Sequence, residues 1–287
     1  MNRKIKWTIN SRYAVVSCFS KDGVLWVEKM ISTDNTEIQN PKWVNEVSLF
    51  FRQKLAYNKV PLADPYLFEE KENFSIQTSP YVGPDIERFF SLNKLNKKNK
   101  LSIVEKIISA MSGVLFQGPE LEVGIDARLS NFCINENGDV FYVDTFPALV
   151  KYNGEYVVHF PNPTSPELIT KEIKRKFDGY GIIRRLRFSI LEQDYSLTER
   201  DILLAIKNVL GYNFSTSVEN YFSLLPREFN GELDVDTIRE IAISKATLKT
   251  GKERENFLTE IFELSSSFCP KKLSVSERII RINELLR

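Results

Sequence analysis

The start of the chain is a series of β-rich apolar runs, and later apolar positions recur every three or four residues. "KIKWTI" (4–9), "YAVVSCFS" (13–20) and "VLWVEKMI" (24–31) are rich in β-branched and aromatic residues. "NSR" and the turn-forming "KDG" separate them, which predicts an antiparallel meander. The period becomes helical in "PKWVNEVSLFFRQKLA" (41–56), where Trp43, Val47, Phe50, Phe51 and Leu55 fall at helical spacing. "PYLFEEKENFSIQTSPY" (65–81) predicts two short strands around a polar "EKEN" turn. The predicted order is three strands, one helix, two strands.

Pro80, Gly83 and Pro84 mark a linker, followed by "DIERFFSL" and a basic "NKLNKKNK" (93–100). The lysine run reads as a solvated loop, with a phosphate-binding patch as the alternative. "LSIVEKIISAMSGVLF" (101–116) is an apolar helix stopped before Gly118-Pro119. "NFCI" and "VFYVD" then flank "NENGD", whose Asn137-Gly138 predicts a tight hairpin turn.

Beyond residue 160 the pattern is helical. "TSPELITKEIKRKF" begins with Ser165 as N-cap and Pro166 at the first helical position. "SLTERDILLAIKNVL", "DVDTIREIAISKATL", "NFLTEIFELSSSF" and "SVSERIIRINELL" show start signals or helical periodicity, and Ser274 with Glu277 spells a capping box. No internal repeat or low-complexity segment is visible. The fold class expected is α+β: a β-rich lobe over 1–82 with one helix, and a larger, mainly helical lobe over 83–287 containing the hairpin at 124–147.

Composition narrows the chemistry. A net charge of +1 offers no bulk attraction to nucleic acid or to an anionic membrane. No run approaches the roughly 20 apolar residues of a membrane span, and the amino terminus lacks the apolar core of a signal peptide. A cytoplasmic protein is therefore expected. Cys18, Cys133 and Cys269 form no C-x-x-C pair and read as buried, reduced thiols. The single histidine, His159, sits where a strand-like run breaks into a Pro-rich loop, and reads as structural. Chemistry without histidine must run on carboxylates, amides and Lys or Arg.

Asp126 and Asn131 precede the first hairpin strand and Asp144 closes the second. Read alone, these short polar residues could equally cap a loop and end a strand. Their spacings, 131−126 = 5 and 144−131 = 13, set in "GIDARLSN", "FCINENGDVFYV" and "DTF", resemble the catalytic segment of the protein-kinase-like superfamily. The resemblance is closest to its aminoglycoside and choline phosphotransferase-like branch. It implies a two-lobed protein-kinase-like fold that uses ATP and Mg²⁺, with Asp126 as catalytic base and Asn131 and Asp144 as metal ligands. Mg²⁺ prefers hard oxygen donors, few of them from protein.

The resemblance extends to a nucleotide site. Lys29, closing the third strand, would hold the α- and β-phosphates, with Glu46 on the next helix as its ion-pair partner. Ser79 to Gly83, including Tyr81, falls where the family offers backbone groups to adenine. Arg128 could contact the γ-phosphate or be a plain loop arginine. Three features depart from the family: "INSRYAVV" has no glycine to cover phosphates, Gly124 stands where the family has His, and "DTFPALV" replaces D-F-G with no A-P-E-like end. They point away from a conventional protein kinase. The expected function is transfer of the γ-phosphate of ATP to a hydroxyl of a small molecule, with "KEIKRKF" and "GIIRRLRF" as possible cations for an anionic acceptor. The alternative is a pseudokinase-like binding or scaffold protein that transfers nothing.

Overall fold

A computed structural model describes residues 4–10, 14–33, 40–118, 120–157, 166–194, 196–225, 234–265 and 273–286. Residues 11–13, His159, Ser165 and Cys269 lie outside the described residues. Five strands, β1 (Lys4–Asn10), β2 (Ala14–Lys21), β3 (Val24–Ser32), β4 (Leu67–Lys71) and β5 (Phe74–Pro80), form one antiparallel sheet in the order β1-β2-β3-β5-β4. Helix α1 (Pro41–Tyr57) is inserted between β3 and β4. The protein is α+β, with the sheet at its amino-terminal end and a mainly helical carboxy-terminal part.

Local chemistry explains these elements. Asp22 and Gly23 both take positive φ (54° and 82°), the backbone twist that suits a two-residue hairpin between β2 and β3. Asn40 caps α1 by accepting from the Trp43 amide at 2.8 Å, with Pro41 at the first helical position. On α1 the helical spacing buries Val44, Val47, Phe51 and Leu55. Ile31 of β3, Ala14, Val44 and Phe146 form one apolar cluster, so α1 and the chain around Phe146 pack on a single sheet face. Lys29, two residues from Ile31, shares that face because side chains alternate along a strand.

The chain continues through α2 (Ile86–Leu92), α3 (Lys97–Leu115), β6 (Phe132–Ile134), β7 (Val140–Tyr142), β8 (Val150–Tyr152), β9 (Glu155–Val157) and α4 (Pro166–Phe177). It ends in α5 (Gly179–Gln193), α6 (Glu199–Leu210), α7 (Tyr212–Ser223), α8 (Val235–Ala246), α9 (Gly251–Ser265) and α10 (Val275–Leu286). Two compact units divide it, Met1–Phe89 with Ser109–Ile182, and Phe90–Ile108 with Ile183–Arg287. The 82/83 boundary read from the linker is a division along the sequence. The compact units cut the chain differently, and the 124–147 segment belongs with the sheet.

In the second unit, α8, α9 and α10 enclose a core of Ile238, Ile241, Leu258, Ile261 and Ile282. Thr198 and Asp201 form a capping box on α6, and Ser274 and Glu277 bond reciprocally before α10 as their spacing predicts. The lysine run at 93–100 is not a free loop. Asn96 accepts from the Asn99 amide at 2.9 Å and starts α3 there, while Lys97 pairs with Asp201 at 2.8 Å and Lys100 with Asp194 at 2.5 Å. The arginines of "GIIRRLRF" are likewise committed: Arg184 and Arg187 both bond the buried Glu240, at 2.7 and 2.6 Å. They are internal counter-ions, because a buried carboxylate needs paired donors. Among the described residues no helix is long and apolar enough to cross a membrane.

Gly83 sets how closely the end of the sheet approaches β6. Its φ is +144°, and a Cβ there would lie 1.9 Å from the Ile134 carbonyl oxygen, which is backbone and cannot rotate away. Gly83→Ala should therefore destabilise the protein by about 3 kcal/mol or more, read as a fall in the urea midpoint. A loss under about 1 kcal/mol would show that this approach is not needed.

Candidate functional site

The segment before β6 is pinned by alternation. Ile125, Ala127 and Leu129 are fully buried, which turns Asp126 and Arg128 away from the core. The Asp126 carbonyl oxygen accepts from the Arg128 amide at 2.8 Å and from Asn131 Nδ2 at 2.9 Å, and a single 3₁₀ turn (Leu129–Asn131) leads into β6. Gly124 has no room for a side chain, because the end of α4 fills that space. A Cβ at Gly124 would lie 2.5 Å from the Lys176 carbonyl oxygen, which already accepts from the Ile125 amide at 2.8 Å.

The hairpin turn uses five residues, not the two of Asn137-Gly138. The Gly138 amide donates to the Asn135 carbonyl at 2.9 Å, and only Gly138 takes positive φ (79°). Asn135 and Asp139 stitch the base side chain to side chain at 3.1 Å. At the other end the Val143 amide donates to the Asn131 carbonyl at 3.0 Å, which returns Asp144 to the side of Asn131.

Lys29 completes the cluster from β3. Its Nζ donates to Asp144 Oδ1 at 2.8 Å and to the Phe146 carbonyl oxygen at 2.7 Å, and it lies 6.0 Å from the Phe146 ring centroid. Both side chains of the ion pair are largely buried, 17% and 26% exposed. Asp126 is paired through Oδ2 with Arg128 Nε at 3.4 Å. The structure thus brings together Lys29, Asp126, Arg128, Asn131 and Asp144 around one hairpin and one strand.

Glu46 is not part of this cluster. It is half exposed and pairs with Lys42 at 3.8 Å, one turn earlier on α1. The face of α1 turned to the sheet instead carries Asn45, Ser48 and Arg52, all buried. Ser79 sits in β5 opposite Val27. The Tyr81 amide is taken by the Leu25 carbonyl at 3.0 Å, leaving Val82 and Gly83 in that stretch with no backbone hydrogen bond to the described residues.

Several residues of the site were not singled out by spacing. Tyr142 is buried and its hydroxyl makes no hydrogen bond of ordinary geometry. Burial first, then the charges of Asp144 and Asp126, push its pKa well above 10; the Asp126 backbone offsets part of this without reaching hydrogen-bond geometry. A protonated phenol is therefore held beside two carboxylates. Tyr66, Gln77, Thr145 and Ser48 form a second set of buried polar groups next to Lys29. Gln77 in "FSIQTSP" was the available signal, a polar amide in an otherwise strand-forming run.

The donors suit Mg²⁺. Asn131 Nδ2 is committed to a carbonyl, so Asn131 Oδ1 is the free end of that amide, and Asp144 Oδ2 accepts nothing from the described residues. Among the described residues no three His, Cys, Asp or Glu side chains are grouped to hold an ion by themselves. Two protein oxygens with the remaining ligands from phosphate and water is the usual Mg²⁺ arrangement. No protein-family model matches the chain, and no curated protein matches it in sequence.

Two outcomes follow from this geometry. Lys29→Ala leaves Asp144 without its cation and should cost about 1–3 kcal/mol in urea unfolding, whereas Glu46→Ala should stay within about 0.5 kcal/mol; equal effects would contradict the pairing. Burial, and secondarily Asp85, pushes the Cys133 thiol up to about 12. Native protein should then alkylate at Cys133 far more slowly at pH 8 than the urea-unfolded chain, as peptide mass spectrometry would show.

Proposed function

We propose that the protein is an ATP- and Mg²⁺-dependent phosphotransferase of protein-kinase-like fold, acting on a hydroxyl of a small molecule. One observation carries the reading: Lys29 and Asp144, 115 residues apart, meet at 2.8 Å beside Asn131 and Asp126. The order three strands, helix, two strands, then a hairpin bearing the three polar residues, supports the same reading.

Each residue has a task in that chemistry. Asp126, oriented by Arg128, accepts the proton of the acceptor hydroxyl as its oxygen attacks the γ-phosphorus, and the β–γ bridging oxygen leaves with ADP. Lys29 supplies a cation for phosphate oxygens, and Asn131 Oδ1 and Asp144 would hold the metal. Mg²⁺, when bound, neutralises phosphate charge during transfer. The backbone of Val82 offers a donor and an acceptor to the purine. A nucleotide-binding or scaffold protein without transfer is the second reading, favoured by the exposed position of Glu46 and by the closure of Lys29 on Asp144 and Phe146.

Mg²⁺ and ATP at one hundred times the dissociation constant should stabilise the protein by about 2.7 kcal/mol, seen as a raised melting midpoint. The shift should need Mg²⁺ and vanish in Asp144→Ala. Asp126→Asn should keep the shift and lose transfer of the γ-phosphate to a screened library of small-molecule alcohols. No shift in the wild type at any nucleotide concentration would overturn the proposal.

A further inference from the structure

The buried polar side chains beside Lys29 form a hydrogen-bonded chain with one sense. Gln77 lies opposite Lys29 in the β3–β5 register, and its Nε2 donates to Ser48 Oγ on α1 at 3.0 Å. Gln77 Oε1 can only accept, and Tyr66 Oη donates to it at 2.8 Å. A phenol has one proton, so the 2.7 Å approach of Thr145 Oγ1 to Tyr66 Oη is a hydrogen bond donated by Thr145. The chain runs from Thr145 through Tyr66 and Gln77 to Ser48.

Its ends are informative. Thr145 and Ser48 are fully buried, and Gln77 is 1% exposed. Thr145 lies between Asp144 and Phe146, the two residues that Lys29 grips. The Tyr66 ring is held by the Arg52 guanidinium 3.8 Å from its centroid, and Arg52 Nη2 is fixed in turn on the Ala63 carbonyl at 2.7 Å. Burial pushes the Tyr66 hydroxyl up to about 12, so it remains a donor at neutral pH. Directional bonds among buried groups select one arrangement where apolar packing would tolerate several.

We infer that Tyr66 is a positioning residue: through Thr145 it fixes the Asp144 loop, and through Gln77 and Ser48 it ties that loop to α1. The resemblance implied a different tie from α1, an ion pair between Glu46 and Lys29. The role of Tyr66 rests on the phosphotransferase reading for what Asp144 holds, but not for how Asp144 is held.

The test compares Tyr66→Phe, Thr145→Val, Thr145→Ser and the Tyr66→Phe/Thr145→Val pair in the full chain. Hydrogen exchange of the 143–149 amides is measured without nucleotide, and the Mg²⁺–ATP dissociation constant is measured from melting shifts. Thr145→Ser keeps the hydroxyl and should match the wild type in both. Tyr66→Phe and Thr145→Val should exchange at 143–149 about tenfold faster, leave α8–α10 unchanged, and bind Mg²⁺–ATP about tenfold more weakly. The pair should be no worse than either single change. A role in packing alone predicts the reverse order, because Val preserves shape and Ser leaves a gap. Exchange in Thr145→Val equal to the wild type, or Thr145→Ser worse than Thr145→Val, overturns the inference. If Tyr66→Phe does not fold, the two Thr145 variants decide. If the wild type binds no nucleotide, the phosphotransferase reading falls and the exchange comparison still judges this one.

Discussion

The ammonium of Lys29 is the point on which the site depends. It joins a strand near the amino terminus to a loop 115 residues later, through a carboxylate at 2.8 Å and a backbone carbonyl at 2.7 Å. A partly buried charge of this kind tolerates little displacement, because either partner left alone is a costly orphan. It holds Asp144 and Phe146, and with Phe146 comes an apolar anchor shared with α1 and β3. The sheet, the helix and the hairpin are thereby registered against one another by a combination of charge and packing.

A second layer of order lies beneath that pair. Ser48, Gln77, Tyr66 and Thr145 fill a sheet face with groups that bond one another in sequence, and Ser75 bonds Asn45 of α1 at 2.5 Å alongside them. Buried polar groups must be satisfied or they destabilise the fold. Here the satisfied set spans α1, β5 and the Asp144 loop. Tyr142 is the contrast, a buried phenol between two carboxylates without a good hydrogen bond. Such an unmatched group beside Asp126 and Asp144 is a local cost that the surrounding packing must offset.

The second unit uses its charges differently. Glu240, buried on α8, takes Arg184 and Arg187 from α5, and Arg187 also meets Glu199 at 2.5 Å. These pairs look like a basic surface when read along the chain. In the fold they are interior cross-links between helices.

Elements whose cause is local can be read along short stretches of the chain. The β-rich runs, the Asp22-Gly23 turn, and the Ser274 and Glu277 box act within a few residues, and each formed where the pattern put it; the Asn40 cap before Pro41 is equally local but was found in the structure. The spacing of Asp126, Asn131 and Asp144 was also legible, because a hairpin converts sequence separation directly into proximity. Other elements, such as α5 and α7, carried no clear start signal: α5 opens "GYG" and α7 follows Gly211 with no side-chain cap. Which residues meet across long separations depends on packing between elements. Periodicity places Glu46 on α1, but the helix's rotation against the sheet selects Asn45, Ser48 and Arg52 for the inner face and leaves Glu46 with Lys42. The same holds for Tyr66, Gln77 and Thr145, whose bonds depend on β-register and on the packing of Phe146, neither of which is encoded at any single position.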